Sequence, residues 1–213
     1  MANLIEQRFS KLGPKVAAAL ENRRFKAWYF DGTEEAVDKL VSLIPKEHLV
    51  SWGGSTTLAD LGVRERLTAE GLSLLDRDKA ANPAERIEIL RKALTCDTYL
   101  CGTNAISEDG QLVNVDGLGS RVAPMMFGPS QVIILAGMNK VAKTLQDAMT
   151  RARHVAAPTN AQRFPALKTP CNETGACMDC SSPDTLCNFL TTIRYCNPPG
   201  RIKVILVGKA LGF

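Results

Sequence analysis

The sequence predicts an α/β fold: a mainly parallel sheet with helices on both faces, a β-hairpin and an irregular cysteine-rich C-terminal segment. Three observations carry this expectation. Short apolar and β-branched runs alternate with segments of helical periodicity, the pattern of parallel strands joined by crossover helices. A stretch dense in Asn, Asp and Gly lies between apolar runs at 98–101 and 131–135, and it contains Asp109-Gly110, a strong hairpin signal. From 157 to 200 the periodicity lapses, and Pro, Asn, Thr and Cys dominate.

Taken in order, Leu4, Ile5, Phe9, Leu12, Val16 and Leu20 recur at helical spacing, so residues 1–22 form an N-terminal amphipathic helix, with a bend expected at Gly13-Pro14. Residues 25–30 read as a strand. Asp31-Gly32-Thr33 then caps a helix carrying Ala36, Val37, Leu40, Val41 and Ile44, which Pro45 ends. Residues 48–52 are a second strand, 53–57 a glycine turn, and a helix begins near Leu58. A short strand at 72–76 precedes a helix opened by Asn82-Pro83. The 98–101 strand leads into a hairpin, Ala105-Ile106 against Leu112-Val113, and residues 122–127 read as a helix capped by Ser120. After the 131–135 strand, a helical pattern covers 141–154, and a last strand is expected at 202–208.

The 213 residues, 45% hydrophobic, suffice for one core, and one domain over 1–213 is expected with the 157–200 segment packed on it. Formal charge is +4, but the 26 basic and 22 acidic residues are interspersed, so nothing demands nucleic acid. No apolar run approaches the roughly 20 residues of a membrane span and the first residues lack a signal-peptide pattern, so a cytoplasmic protein is expected. In that compartment seven cysteines read as thiols or metal ligands rather than a disulfide framework.

Chemistry is expected where glycines and polar residues meet strand ends. The 102–137 stretch carries Asn104, Glu108, Asp109, Asn114, Asp116 and Arg121 among glycines that permit close backbone approach. Gly53, Gly54, Ser55, Thr56 and Thr57 follow a strand and precede a helix, an arrangement suited to an anion, although a helix cap by Ser55 or Thr56 explains it equally well. Both segments fall at carboxyl ends of strands, where open α/β sheets place ligands.

Five of the seven cysteines lie between Cys171 and Cys196. The two-residue gap in Cys177-Met178-Asp179-Cys180 lets both thiolates reach one ion, with Cys171 and Cys187 completing a tetrahedral zinc site or ligating an iron–sulfur cluster. Redox thiols, disulfides and unliganded structural cysteines remain alternatives. Cys96 and Cys101 read as core. His48 reads as a partly buried structural residue and His154 as the end of a helix, and neither has a visible catalytic partner.

GTNAISEDGQLVNVDGLGSRVAPMMFGPSQVIILAGMNKVAK, the upstream WGGSTTLADLG, the downstream HVAAPTNAQRF and the CxETGxCxDCxSPxxLC segment follow one another in an order that resembles the lactate-utilisation (LUD) domain family, in the branch with a cysteine-rich tail. The likeness covers nearly the whole chain. It implies a Rossmann-like fold similar to glucosamine-6-phosphate deaminase, ribose-5-phosphate isomerase and the CoA-transferases. In such enzymes the glycine turn holds a phosphate or acyl group, which maps here onto Gly53, Gly54, Ser55, Thr56 and Thr57. Acid/base carboxylates on later strand ends map by placement onto Glu108, Asp109 and Asp116, with Asn104, Asn114 and Arg121 as polar partners. Better-known members resemble subunits of an iron–sulfur-associated complex that oxidises L-lactate.

Two functions follow as expectations. The first is a protein of lactate or related organic-acid use that binds a small anionic metabolite, a hydroxy acid, sugar phosphate or CoA ester; if it is catalytic, Glu108 or Asp116 is the general base and Arg121 the anion clamp. The second is a non-catalytic subunit of a redox complex carrying a metal or cluster on Cys171, Cys177, Cys180 and Cys187. A homo-oligomer is compatible with either.

Overall fold

The computed structural model of the protein describes residues 3–213. Asn3 accepts the Ile5 amide and caps α1 (Leu4–Asn22), which continues as one helix through Pro14; residues 1 and 2 of the expected helix lie outside the described residues. There follow β1 (Lys26–Phe30), α2 (Thr33–Ser42), β2 (Leu49–Trp52), α3 (Thr56–Asp60), α4 (Val63–Ala69), β3 (Ser73–Leu74), α5 (Pro83–Lys92) and β4 (Thr98–Cys101). The hairpin is β5 (Ala105–Ser107) and β6 (Leu112–Asp116), and α6 (Val122–Met126) leads to β7 (Gln131–Gly137). Then come β8 (Val141–Ala142), α7 (Leu145–Arg151), a π-turn at Ala152–Ala156, α8 (Ala157–Ala161), α9 (Pro170–Thr174), β9 (Phe189–Ile193) and β10 (Ile202–Val207).

Six strands form one parallel sheet in the order β1-β10-β7-β4-β2-β3. Alternation along each strand assigns its side chains to two cores. Val132, Ile134 and Ala136 of β7, with Val204 and Leu206 of β10, meet Phe9, Val16 and Leu20 of α1. Ile133 and Leu135, with Ile205 and Val207, meet Leu40 of α2, Leu58 of α3 and Leu67 of α4 on the other face. Both faces being covered explains why the central strands read as unbroken apolar runs rather than as alternating ones. Each fully buried Leu or Ile stabilises the fold by roughly 1.5–3 kcal/mol.

A second sheet, β8-β5-β6-β9, is built on the hairpin, with Ala105 opposite Val113 and Ile106 opposite Leu112. Ile106 and Leu112 join the α1 core, while Ala105, Val113 and Val115 pack against Ala148 and Ala152. The turn is held against α1: Gly110 has φ +88°, and a Cβ there would come within 2.7 Å of Ala19 C and Leu20 N. Gly110→Ala is therefore expected to lower unfolding stability by about 2 kcal/mol, measured by denaturant titration, because neither the backbone angle nor the packed helix accommodates a side chain.

Three expectations are corrected. Residues 141–154 are not helical throughout, because Val141 and Ala142 pair with Ile106 and Ser107 as β8. The helix starts only where Thr144 and Asp147 form a capping box, and His154 lies exposed within the π-turn. The 157–200 segment is not wholly irregular: β9 pairs antiparallel with β6, from Leu112 opposite Ile193 to Asp116 opposite Phe189. This edge strand is largely exposed and lacks an apolar alternation, so local pattern does not reveal it.

Candidate active site

In a parallel sheet every strand delivers its following residues to one edge, and here that edge is a cleft of about 410 Å3. β2 brings Gly53, Gly54, Ser55 and Thr56, β3 leads to Arg77, β4 delivers Gly102, Thr103 and Asn104, and β7 is followed by Lys140. The hairpin supplies Asp116 and Arg121. Six cations line the space, Arg64, Arg77, Arg86, Arg121, Lys140 and Arg163, against two carboxylates, Asp78 and Asp116. Such an imbalance in a concave, partly desolvated site favours anions.

Lys140 is the most perturbed of these groups. Its side chain is buried at 4% exposure, and its Nζ stands 3.5 Å from Thr57 Oγ1. Burial, reinforced by Arg151 and Arg121, lowers its pKa from 10.5 to about 8. No carboxylate is among the groups that act on it. A desolvated lysine beside other cations is a recognised route to an amine that exchanges protons near neutrality.

Arg77 is the second. Its Nε is buried without a hydrogen-bond partner, and the nearest carboxylate oxygen, of Asp78, is 3.8 Å away. Burial shifts its pKa downward. Its Nη2 stands where a side chain on Gly54 would be, 2.9 Å from an ideal Cβ, so the glycine admits the guanidinium to the cleft. A buried N–H without a partner costs about 1–3 kcal/mol.

The predicted residues divide. Arg121 donates from Nη2 to Asn104 Oδ1 at 2.7 Å and to Val115 O at 2.5 Å, so Asn104 and Arg121 meet in the cleft wall. Asp116 lines the cleft but is engaged with its own loop. Oδ1 accepts the amides of Leu118 and Gly119, and Oδ2 accepts those of Arg121 and Val122. The N-cap position of α6 is Arg121 and not Ser120, and Asp116 accepts the amides of Arg121 and Val122 there. Ser55 Oγ accepts the Leu58 amide and caps α3, and Thr57 is buried behind the lining beside Lys140.

Glu108 and Asn114 are not brought to the cleft. Glu108 sits at the hairpin turn and receives Lys143 Nζ at 2.6 Å, against the surface of α1. Asn114 is buried on β6 opposite Thr191, and neither polar atom of its side chain has a hydrogen-bond partner. Asp109, on the same turn as Glu108, pairs with Arg23.

The four tail cysteines do converge. Cys171, Cys177, Cys180 and Cys187 line a separate cavity of about 260 Å3. Among the described residues, no group of three or more His, Cys, Asp or Glu side chains that could hold a metal ion is found. Cys96 and Cys101 are buried in the α1 core, as expected, and burial pushes their thiols up to about 11 and about 12. Cys196 joins them there, its sulfur accepting the Ile202 amide. No helix among the described residues is long and apolar enough to cross a membrane.

A family model described as the LUD domain matches residues 14–207. The chain belongs to the LUD domain family. This LUD chain is similar to a DUF162 family protein of known structure from Deinococcus radiodurans, at 12% identity over 93% of this chain and 97% of that one, with a TM-score of 0.53. That likeness concerns the fold. Shorter overlaps join it to ribose 5-phosphate isomerase A from Neisseria gonorrhoeae, at 13% identity over 53% of this chain and 54% of the other, with a TM-score of 0.34. An eIF2B delta from Chaetomium thermophilum matches at 18% identity over 54% and 49%, with a TM-score of 0.35. No curated protein matches the sequence.

Lys140 and Arg77 are the LUD-domain residues that local motifs do not single out. Neither belongs to a glycine turn, although Arg77 lies in the charged run Asp76-Arg77-Asp78-Lys79. Each follows the carboxyl end of a sheet strand within a few residues, and that position is the one sequence signal that points to them.

Proposed function

We propose that the cleft binds a small organic-acid anion bearing a hydroxyl or carbonyl, in the use of lactate or a related acid, and that Lys140 exchanges a proton with it. The observation that carries this reading is a buried amine, pKa about 8, with no carboxylate acting on it in a cleft lined by five arginines. Arg77 and Arg121 hold the carboxylate. Lys140 then faces the neighbouring carbon or its oxygen, where its neutral form accepts a proton and its charged form stabilises an oxyanion. About 410 Å3 lies at the small end of metabolite pockets, which suits a short acid better than a large ester.

The experiment is a thermal-shift and titration series with 2-hydroxy acids, 2-oxo acids, sugar phosphates and CoA esters. An organic acid at a hundred times its Kd stabilises the fold by about 2.7 kcal/mol, a rise of a few degrees in Tm. Its uncharged amide is expected to give no shift, and Arg77→Ala is expected to abolish the effect of the acid. Stabilisation only by sugar phosphates or CoA esters replaces the substrate class. Failure of every anion, or full retention of the shift in both Arg77→Ala and Arg121→Ala, overturns the reading.

A further inference from the structure

We propose that Cys171, Cys177, Cys180 and Cys187 hold a [4Fe–4S] cluster in the second cavity. The chain uses its cysteines in two distinct ways. Cys96, Cys101 and Cys196 are buried core side chains, whereas these four are partly or fully exposed, unpaired as disulfides, and all face one space of about 260 Å3. Core packing therefore explains the first set and not the second.

Their scaffold points the same way. Between α9 and β9 the chain has no helix or strand, and its order rests on short polar contacts such as Ser182 Oγ to Lys168 O and Asp184 Oδ2 from the Lys168 amide. A loop of this kind has little apolar burial of its own, and a group ligated at four points along it would supply the missing cross-links. The rest of the wall is compatible with an inorganic core: Ala157 and Ala161 of α8, Met178 and Leu190 are apolar, and Arg153, paired with Asp179, is the cation facing a cluster whose four thiolates leave it net negative.

The placement of the four thiols around one cavity suits a cluster. Zinc draws four sulfurs to about 2.3 Å from one point. A cubane instead takes each thiolate on a different iron, so its ligands ring a space, as these do. On assembly each thiol releases its proton to solvent, and equal numbers of ferrous and ferric ions with sulfide form the core without a further oxidant or reductant.

The site is independent of the reading of the cleft, yet adjoins it. Leu186 lines both cavities, and α8 turns Asn160 to the cleft and Ala157 and Ala161 to the cysteines. The cysteine cavity thus lies across one layer of side chains from the cleft.

The test is anaerobic reconstitution of the full chain with mixed ferrous and ferric iron and sulfide, followed by metal and sulfide analysis and visible and electron paramagnetic resonance spectra. About four iron and four sulfide per chain are expected, with a visible band bleached by dithionite. Cys177→Ser and Cys180→Ser are expected to lose the band, while Cys96→Ala keeps it. Circular dichroism confirms that each variant folds, and the wild-type spectra decide the matter if a variant does not. A colourless protein that takes up one zinc, or no metal, overturns the proposal, as does a band that survives both serine variants.

Discussion

Lys140→Met is expected to raise the stability of the free protein at pH 7 while weakening anion binding by about 100-fold. An unfolded lysine titrates at 10.5 and Lys140 at about 8, because burial and the neighbouring Arg151 and Arg121 disfavour its charge. Below pH 8 the amine is protonated in both states, and the folded chain bears the full cost of a buried charge. Between pH 8 and 10.5 the folded chain releases the proton first, so wild-type stability rises. Above 10.5 both states are neutral and the cost is gone. The displacement corresponds to about 3 kcal/mol at neutral pH, and methionine, of similar length and without charge, removes it. Denaturant titrations of both proteins from pH 6 to 11 are expected to show the variant more stable at low pH and the curves meeting near pH 10.5. Wild-type affinity for the anion is expected to fall as pH rises through 8. Parallel stability curves would show that Lys140 carries no burial cost, and unchanged affinity would remove it from the site.

Asp116→Asn is expected to destabilise the protein by about 3 kcal/mol and to abolish the cleft's affinity for anions. Asp116 accepts four backbone amides, two on each carboxylate oxygen. An asparagine retains one acceptor and turns an NH2 toward the other pair of N–H groups. It thereby leaves two donors unpaired and loses the ion pair to Arg121 Nε at 3.7 Å. The loop that carries Arg121 into the wall would lose its anchor. Glu108→Gln supplies the contrast, because Glu108 lies outside the cleft with Lys143, and it is expected to leave anion binding unchanged. If Asp116→Asn folds with wild-type stability but alone loses turnover, the carboxylate is a base and not an anchor. Impaired binding in Glu108→Gln would place that residue back in the site.

The fold is legible in the sequence because its central strands are buried on both faces. Val132 to Ala136 and Val204 to Val207 read as strands since every position contacts apolar matter on one face or the other. Asp109-Gly110 marks the hairpin because the left-handed angle at Gly110 favours glycine. β8 and β9 escape such reading. Two residues of β8 and the half-exposed β9 take their conformation from β5 and β6, which are distant in sequence for β9 and separated by β7 for β8.

Local composition by itself determined the parallel sheet, the hairpin, the glycine turn and the grouping of four cysteines, since each depends on residues near one another along the chain. Tertiary structure alone decided which charged groups act together. Asp116 and Glu108 look alike as acidic residues of one polar stretch, yet one is enclosed by the amides of its own loop and the other faces Lys143 outside the cleft. Lys140 and Arg77 look like ordinary cations until the sheet brings its strand ends to one edge and removes their water. Desolvation depends on which distant segments close around a side chain, and so it set the character of the site only once the chain had folded.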